Sequence, residues 1–149
     1  MKKYILLLAI VMISLLSGCK SKNNENNANN EYANSLSKSE KIEIRIADNS
    51  DIFLIDDKKD IEEFIKKIKV EKWELKELPE DAVVAREYIF YQNETEKPTD
   101  GTKNSQGIYE AARLITYKDL PYINFTMDDF EFDFLLAEET AQYLNTLGD

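Results

Sequence analysis

The sequence predicts a two-layer α+β domain over residues 40–149: a mainly antiparallel sheet of about six strands carrying two helices, in the order ββα-ββββα. Three observations predict it. Apolar and polar residues alternate at the start of this region, a helical period follows directly, and four more β-type runs lead to a second helical stretch at the C-terminal end. Helices that follow antiparallel hairpins pack on one face of a shared sheet, which gives two layers around one core.

The elements follow in order. Ile42, Ile44 and Ile46 alternate with Glu43 and Arg45, the period-2 mark of a half-buried strand. Asp48-Asn49-Ser50 is turn chemistry, and the apolar run Ile52–Ile55 completes a hairpin. Asp56 or Asp57 offers an N-cap, after which Ile61, Phe64, Ile65 and Ile68 recur at i, i+3, i+4, i+7 on one helical face. On the wet side Glu62 precedes Lys66 and Glu63 precedes Lys67 by four residues, pairs that each add about 0.2–0.5 kcal/mol to a helix. Val70 to Leu78 fits either a continued helix or a short strand, with Trp73 and Leu75 alternating against Glu74 and Lys76, and Pro79 closes it in both cases.

Residues 84–92 include Tyr88-Ile89-Phe90-Tyr91, apolar on both faces and therefore central in a sheet. Asn93–Gly107 holds Pro98, Asp100-Gly101 and Gly107 with no hydrophobic anchor, and reads as a long loop. Ile108–Lys118 and Tyr122–Met127 read as strands around a turn at Asp119-Leu120-Pro121. Asp128-Asp129 then turns the chain into Phe130, Phe132 and Phe134, and a last helix runs from about Ala137 to Leu147, ending at Gly148 as a left-handed cap. A faint internal repeat accompanies this order: residues 42–68 align with 123–147, placing Phe53, Ile55, Phe64, Ile65 and Ile68 over Phe132, Phe134, Tyr143, Leu144 and Leu147 at a constant offset of 79.

Upstream of the domain the chain changes character twice. Lys2 and Lys3 precede thirteen uncharged residues, Tyr4 to Leu16, and small residues then lead to Cys19. This is the layout of a secretory signal, since a spanning helix needs roughly 17–25 apolar residues and this run meets Lys20 and Lys22 at once. Leu16-Ser17-Gly18-Cys19 resembles the lipobox of bacterial lipoproteins, a resemblance that covers residues 1–19 only. It implies removal of a signal peptide, residues 1–18, attachment of diacylglycerol to the Cys19 sulfur, acylation (palmitate) of the freed amine, and residence on the extracytoplasmic face of the cell membrane. Two acyl chains suit stable anchoring, because one chain alone holds only marginally. Beyond the lipobox, the acidic domain is only loosely similar to small Gram-positive lipoproteins. Cys19 is the single cysteine, so no disulfide forms within the chain and the fold must rest on its core and hydrogen bonds.

Residues 19–39 form the second change. After Cys19, Lys20–Ser39 is dominated by Asn, Lys, Ser and Glu, with few apolar residues beyond Tyr32 and Leu36, and the expectation is a disordered linker. As a coil of twenty residues it would reach about 22–27 Å, several screening lengths at ~8 Å each. Past it, 27 Asp and Glu against 14 Lys and Arg leave residues 40–149 at −13, and no basic residue follows Lys118. Repulsion of this kind argues against nucleic acid and against docking on an anionic bilayer, and permits a basic partner.

Catalytic constellations are missing. There is no histidine, the one thiol is assigned to lipid, Ser50 and Ser105 are the only serines after Ser39, and four glycines build no phosphate loop. Lys103 near Ser105 has nothing apolar around it to depress its pKa. A non-enzymatic protein without cofactor or metal is expected.

One pattern stands out: Asp129, Glu131 and Asp133 alternate with Phe130, Phe132 and Phe134, which on a strand lines three acids along one face at intervals of about 7 Å. It reads as a contact stripe for basic side chains, as a weak Ca²⁺ site lacking the turn glycine and closing glutamate, or as a solvated face opposite core phenylalanines. Tyr88, Tyr91, Tyr109, Tyr117 and Tyr122 fall in or beside strands, as an aromatic patch or as ordinary packing. The function expected is a membrane-anchored module that binds a basic protein or peptide, in the manner of an immunity or inhibitor protein. An accessory or envelope-structural role in a membrane complex is the alternative, and a signalling peptide released from Val11–Gly18 a minor one.

Overall fold

A computed structural model describes residues 22–48, 51–94 and 107–148. Its elements are α1 (Lys22–Leu36), β1 (Lys41–Ile46), β2 (Ile52–Ile55), α2 (Lys58–Ile68), a 3₁₀ turn (Val70–Lys72), β3 (Glu74–Leu75), β4 (Val84–Asn93), β5 (Ile108–Tyr117), β6 (Leu120–Met127), β7 (Phe130–Leu135) and α3 (Glu138–Thr146). The strands form one sheet in the order β2-β1-β4-β5-β6-β7-β3, and all its pairings are antiparallel. The α+β class is as the sequence predicts. Among the described residues the counts are seven strands and three helices instead of about six and two.

Register carries one row of side chains across the whole sheet. Ile42 and Ile44 face Phe90 and Tyr88, these face Ala112 and Leu114, and the row continues to Met127 and Phe125, then to Phe130 and Phe132. Because directly paired residues share a face, this row is the inner face, and Phe64, Ile68 and Leu144 from the helices close the core over it. The two ββα units that align in sequence lie in opposite halves of the sheet: β1 and β6 are the inner strands of their hairpins, and β2 and β7 the outer.

Helix α2 follows its sequence signals. Asp57 is the N-cap, its carboxylate accepting the Lys59 N–H at 2.8 Å and the Asp60 N–H at 3.4 Å. Ile61, Phe64 and Ile68 are buried, and Lys67 pairs with Glu63 at 2.7 Å on the wet side. Lys69 stops the helix in the left-handed region at φ 48°, and the Trp73 indole N–H donates to the Ile68 carbonyl at 2.9 Å, satisfying an end group the helix leaves open. The ambiguous stretch Val70–Leu78 thus becomes a 3₁₀ turn and the two-residue strand β3, which pairs with β7 and supplies the extra strand.

Helix α3 has no side-chain N-cap at Ala137, and its last turn holds no basic residue. Its C-terminal carbonyls are met from the sheet instead. The Tyr88 hydroxyl donates to the Leu144 carbonyl, and the buried Arg86 guanidinium donates to the Asn145 carbonyl, a cation against the negative end of the helix. Gly148 follows at φ +94° and packs on Phe53, where a Cβ would lie 3.0 Å from the ring.

The largest departure from the sequence reading is α1, in the segment 19–39 expected to be disordered. Asn29, Tyr32, Ala33 and Leu36 recur at i, i+3, i+4, i+7 and form its inner face. Leu36 is fully buried, and the Tyr32 ring lies 5.3 Å from Phe125 and 6.3 Å from both Phe132 and Phe134. Asn29 takes a position that usually holds an apolar residue; 4% exposed, it donates its amide to the Trp73 carbonyl at 2.9 Å. Gln92 also donates to the Ser35 carbonyl at 2.7 Å, fastening the helix end to β4. Low mean apolarity was misleading because few residues do the anchoring and one of them is an asparagine with a partner.

The signal segment, Cys19, Lys20 and Ser21 lie outside the described residues, as do 95–106 of the long loop predicted over Asn93–Gly107. The ends of that loop are joined by the Glu94 N–H donating to the Gly107 carbonyl at 3.0 Å. No helix among the described residues is long and apolar enough to cross a membrane.

Candidate functional site

Among the described residues all three helices lie on the inner face of the sheet, and alternation decides what the outer face shows. Lys41, Glu43 and Arg45 stand there from β1, out of phase with Ile42 and Ile44. Register sets Glu87 beside Arg45, Ile89 beside Arg113, and Tyr91 beside Lys41 and Glu110.

Acids and bases match on this half of the face. Arg45 contacts Glu43 at 2.6 Å and Glu87 at 3.5 Å. Arg113 also binds Glu87, and forks onto Glu110 with its Nε and Nη2 at 2.8 and 2.9 Å from the two carboxylate oxygens. Lys41 lies 4.0 Å from Glu43 and 4.1 Å from the centre of the Tyr91 ring. The hydrogen bond from Arg113 holds the Glu110 carboxyl below its usual range, and the bonds to Glu110 and Glu43 raise the Arg113 and Arg45 guanidiniums respectively. Exposure to solvent weakens each pair, so the lattice fixes side-chain positions more than it adds stability.

The other half, on β6 and β7, is built differently. The Asn124 amide, directly opposite Asp133, donates to Asp133 Oδ1 and to Glu131 Oε1, both at 2.9 Å. The second Asp133 oxygen faces the Leu78 N–H at 3.4 Å. No Lys or Arg among the described residues lies within salt-bridge distance of Glu131 or Asp133. Their charge is felt nearby: burial first, then Asp133 and Glu131, push the Tyr117 hydroxyl above its ordinary range.

Of the three acids in the predicted stripe, the structure therefore brings Glu131 and Asp133 together through Asn124. Asp129 stands apart in the exposed β6–β7 turn, next to Asp128 at φ 54°. Nor do the phenylalanines all enter the core. Phe134 is buried, Phe132 half-buried, and Phe130 is 62% exposed and stacked on Phe132 at 6.2 Å. No three potential metal-ligating side chains of the His, Cys, Asp or Glu type converge among the described residues.

The five tyrosines do not gather into one patch. Tyr88 is buried against Phe64 at 5.5 Å, Tyr91 lies under Lys41, and Tyr122 is 5.9 Å from Lys76. Asn124 was missed by the sequence reading, although its place opposite Asp133 follows from the hairpin register once the two-residue turn is fixed. Arg86 was missed as well, despite sharing the phase of Tyr88 and Phe90. It is buried beside Thr116, whose hydroxyl is 2.8 Å from the Asn145 side-chain oxygen.

No protein-family model, curated protein or solved structure is matched by this chain.

Proposed function

We propose that this chain is a lipid-anchored, non-enzymatic binding module on the extracytoplasmic face of the cell membrane, and that it recognises a basic protein or peptide through the β6–β7 half of its outer sheet face. One contrast carries the reading. Glu43, Glu87 and Glu110 are each met by an arginine of the same face, whereas Glu131 and Asp133 are held in place by an amide and meet no cation among the described residues. An asparagine orients carboxylates without neutralising them, so the pair keeps its full attraction for a ligand cation. An immunity or inhibitory role against a basic secreted protein is the specific form of this reading.

Reversal of Asp129, Glu131 and Asp133 to lysine tests the face. Binding to a defined cationic probe such as heptalysine should fall at least tenfold, and retention of wild-type affinity would remove the stripe from the reading. Incorporation of labelled palmitate tests the anchor separately, since Cys19→Ala should abolish it; unchanged labelling would refute lipidation at that sulfur.

The start of α1 at Lys22 supports a fixed pose close to the bilayer, in keeping with an accessory role in a membrane complex as the second reading. Lys22 is the third residue after Cys19, which bounds the span at about 11 Å, at most half the reach of the twenty-residue coil.

A further inference from the structure

The two edges of the sheet end differently. On one side the last strand is the two-residue β3, soon followed by Pro79, a common way of blunting an edge. On the other, β2 has no strand partner on its outer side among the described residues, and Ile52–Ile55 holds no proline and no lysine. Its outer-face side chains, Ile52 and Leu54, are each 56% exposed, so the edge offers unpaired main-chain groups together with apolar contact surface.

A groove of about 290 Å³ runs along the helix side of this strand, where α2 and α3 approach it. Ile55, Phe64, Tyr143 and Leu147 form its apolar part. Asp56, Asp60 and Glu63 line it with negative charge, and the one cation among its described lining residues, Lys67, already pairs with Glu63 at 2.7 Å and lies 5.2 Å from the Tyr143 ring centre. Long side chains with an apolar stem and a cationic head fit such a place, stem on the aromatic floor and head among the carboxylates.

We propose that the β2 edge accepts an added strand from a basic, extended segment of a partner protein, with Lys or Arg side chains entering the groove and apolar side chains covering Ile52 and Leu54. The alternation follows from strand geometry, because successive side chains of the added strand point to opposite faces. Charge selects the occupant. Two copies of this chain pairing antiparallel through Ile52–Ile55 would set Asp51 of each opposite Asp56 of the other, like charges across a strand pair between domains of −13. The proposal rests on the reading of the domain as a binder of basic partners, and lies at the opposite end of the sheet from Glu131 and Asp133.

The test uses the full chain in mild detergent and a capped eight-residue peptide of alternating lysine and valine, followed by calorimetry and by amide hydrogen exchange. Wild type should bind it at least tenfold tighter than a block peptide of four lysines and four valines, with slowed exchange at residues 52–55. Leu54→Lys, and separately Asp60→Lys with Glu63→Lys, should each weaken binding at least tenfold. N-methylation of alternate peptide residues should abolish binding without altering the protein, which keeps the test decisive should a variant misfold. Equal binding of the block peptide, unchanged exchange at 52–55, or indifference to N-methylation would overturn the proposal. So would self-association abolished by Leu54→Lys, which assigns the edge to a second copy. Lysine reversal at Asp129, Glu131 and Asp133 should leave the slowed exchange at residues 52–55 in place; loss of heptalysine binding alone bears on the stripe, and loss of that protection alone bears on β2.

Discussion

If α1 is part of the fold, two small deletions in it must destabilise the whole domain. Leu36 is 0% exposed, and truncating a fully buried leucine to alanine costs about 2–5 kcal/mol, the larger values where the cavity cannot collapse. Its place at the last residue of the helix lets the neighbourhood relax, so about 3 kcal/mol is expected for Leu36→Ala. Asn29→Ala removes the donor to the Trp73 carbonyl, on a residue that is 3% exposed, and a buried acceptor left without its partner costs about 1–3 kcal/mol. The two positions are seven residues apart, about 10 Å along the helix, so their effects should add within about 0.5 kcal/mol. The double variant should therefore lose about 4–6 kcal/mol, a large part of the ~5–15 kcal/mol typical of a domain. Urea unfolding followed by circular dichroism and by tryptophan fluorescence is the assay. Trp73 is the single tryptophan and receives the Asn29 hydrogen bond, so its emission reports the docking directly. A disordered segment predicts no change for either substitution. Midpoints within about 0.5 kcal/mol of wild type for both, with unshifted Trp73 emission, would refute the docked helix.

Four further outcomes are expected. Tyr88→Phe takes the hydroxyl from the Leu144 carbonyl and should destabilise by about 1–2 kcal/mol in the same urea assay. Gly148→Ala places a Cβ 3.0 Å from the Phe53 ring at φ +94°, and should cost about 1 kcal/mol, read as a lower melting temperature. Asp128→Gly, at φ 54° in the first central position of the β6–β7 turn, should raise stability by about 0.5–1 kcal/mol, since that position favours glycine in a two-residue hairpin. The Tyr117 phenol is raised in the folded state, so its contribution is complete below the ordinary value of 10.0 and is lost as pH rises through the folded value. Glu131→Gln with Asp133→Asn should move its titration, followed by carbon NMR of labelled tyrosine, down toward 10.0 while the burial contribution remains.

What could be read from sequence depended on whether one chain segment held the whole signal. The period-2 run in β1, the i, i+3, i+4, i+7 face of α2, its Asp57 cap and the Gly148 stop are local, and the structure uses each in that role. Helix α1 carries the same helical spacing, but with Asn29 in the apolar row. The tolerance of a buried amide depends on the Trp73 carbonyl, 44 residues away, so composition could not reveal it. Strand β3 is two residues long and exists only because β7 offers an edge. In the candidate site the alternation of Asp129, Glu131 and Asp133 was visible, whereas the division of the face into matched and unmatched charge was not. That division arises because β1, β4 and β5 bring Arg45 and Arg113 beside Glu87, while β6 brings Asn124 to Asp133.

The docking of α1 also decides what an anchor at Cys19 would leave free. Tyr32 packs on Phe125, Phe132 and Phe134, so α1 belongs to the helix layer, over the inner side of β6 and β7. Glu131 and Asp133 project from the outer side of those same strands, because successive residues of a strand alternate between faces. Helix α1, the first described element, thus lies on the side of the sheet opposite the acidic pair. A twenty-residue coil would have allowed many orientations, with screening by salt separating the domain from the bilayer. A docked helix beginning three residues after Cys19 replaces that freedom with a short connection to one side of one layer. Under the proposed lipidation, recognition of a basic partner would then depend on this fixed entry side as well as on charge. Several glycines and serines inserted between Cys19 and Lys22 should preserve affinity in detergent while altering capture by membrane-bound protein, and capture indifferent to linker length would refute the dependence on pose.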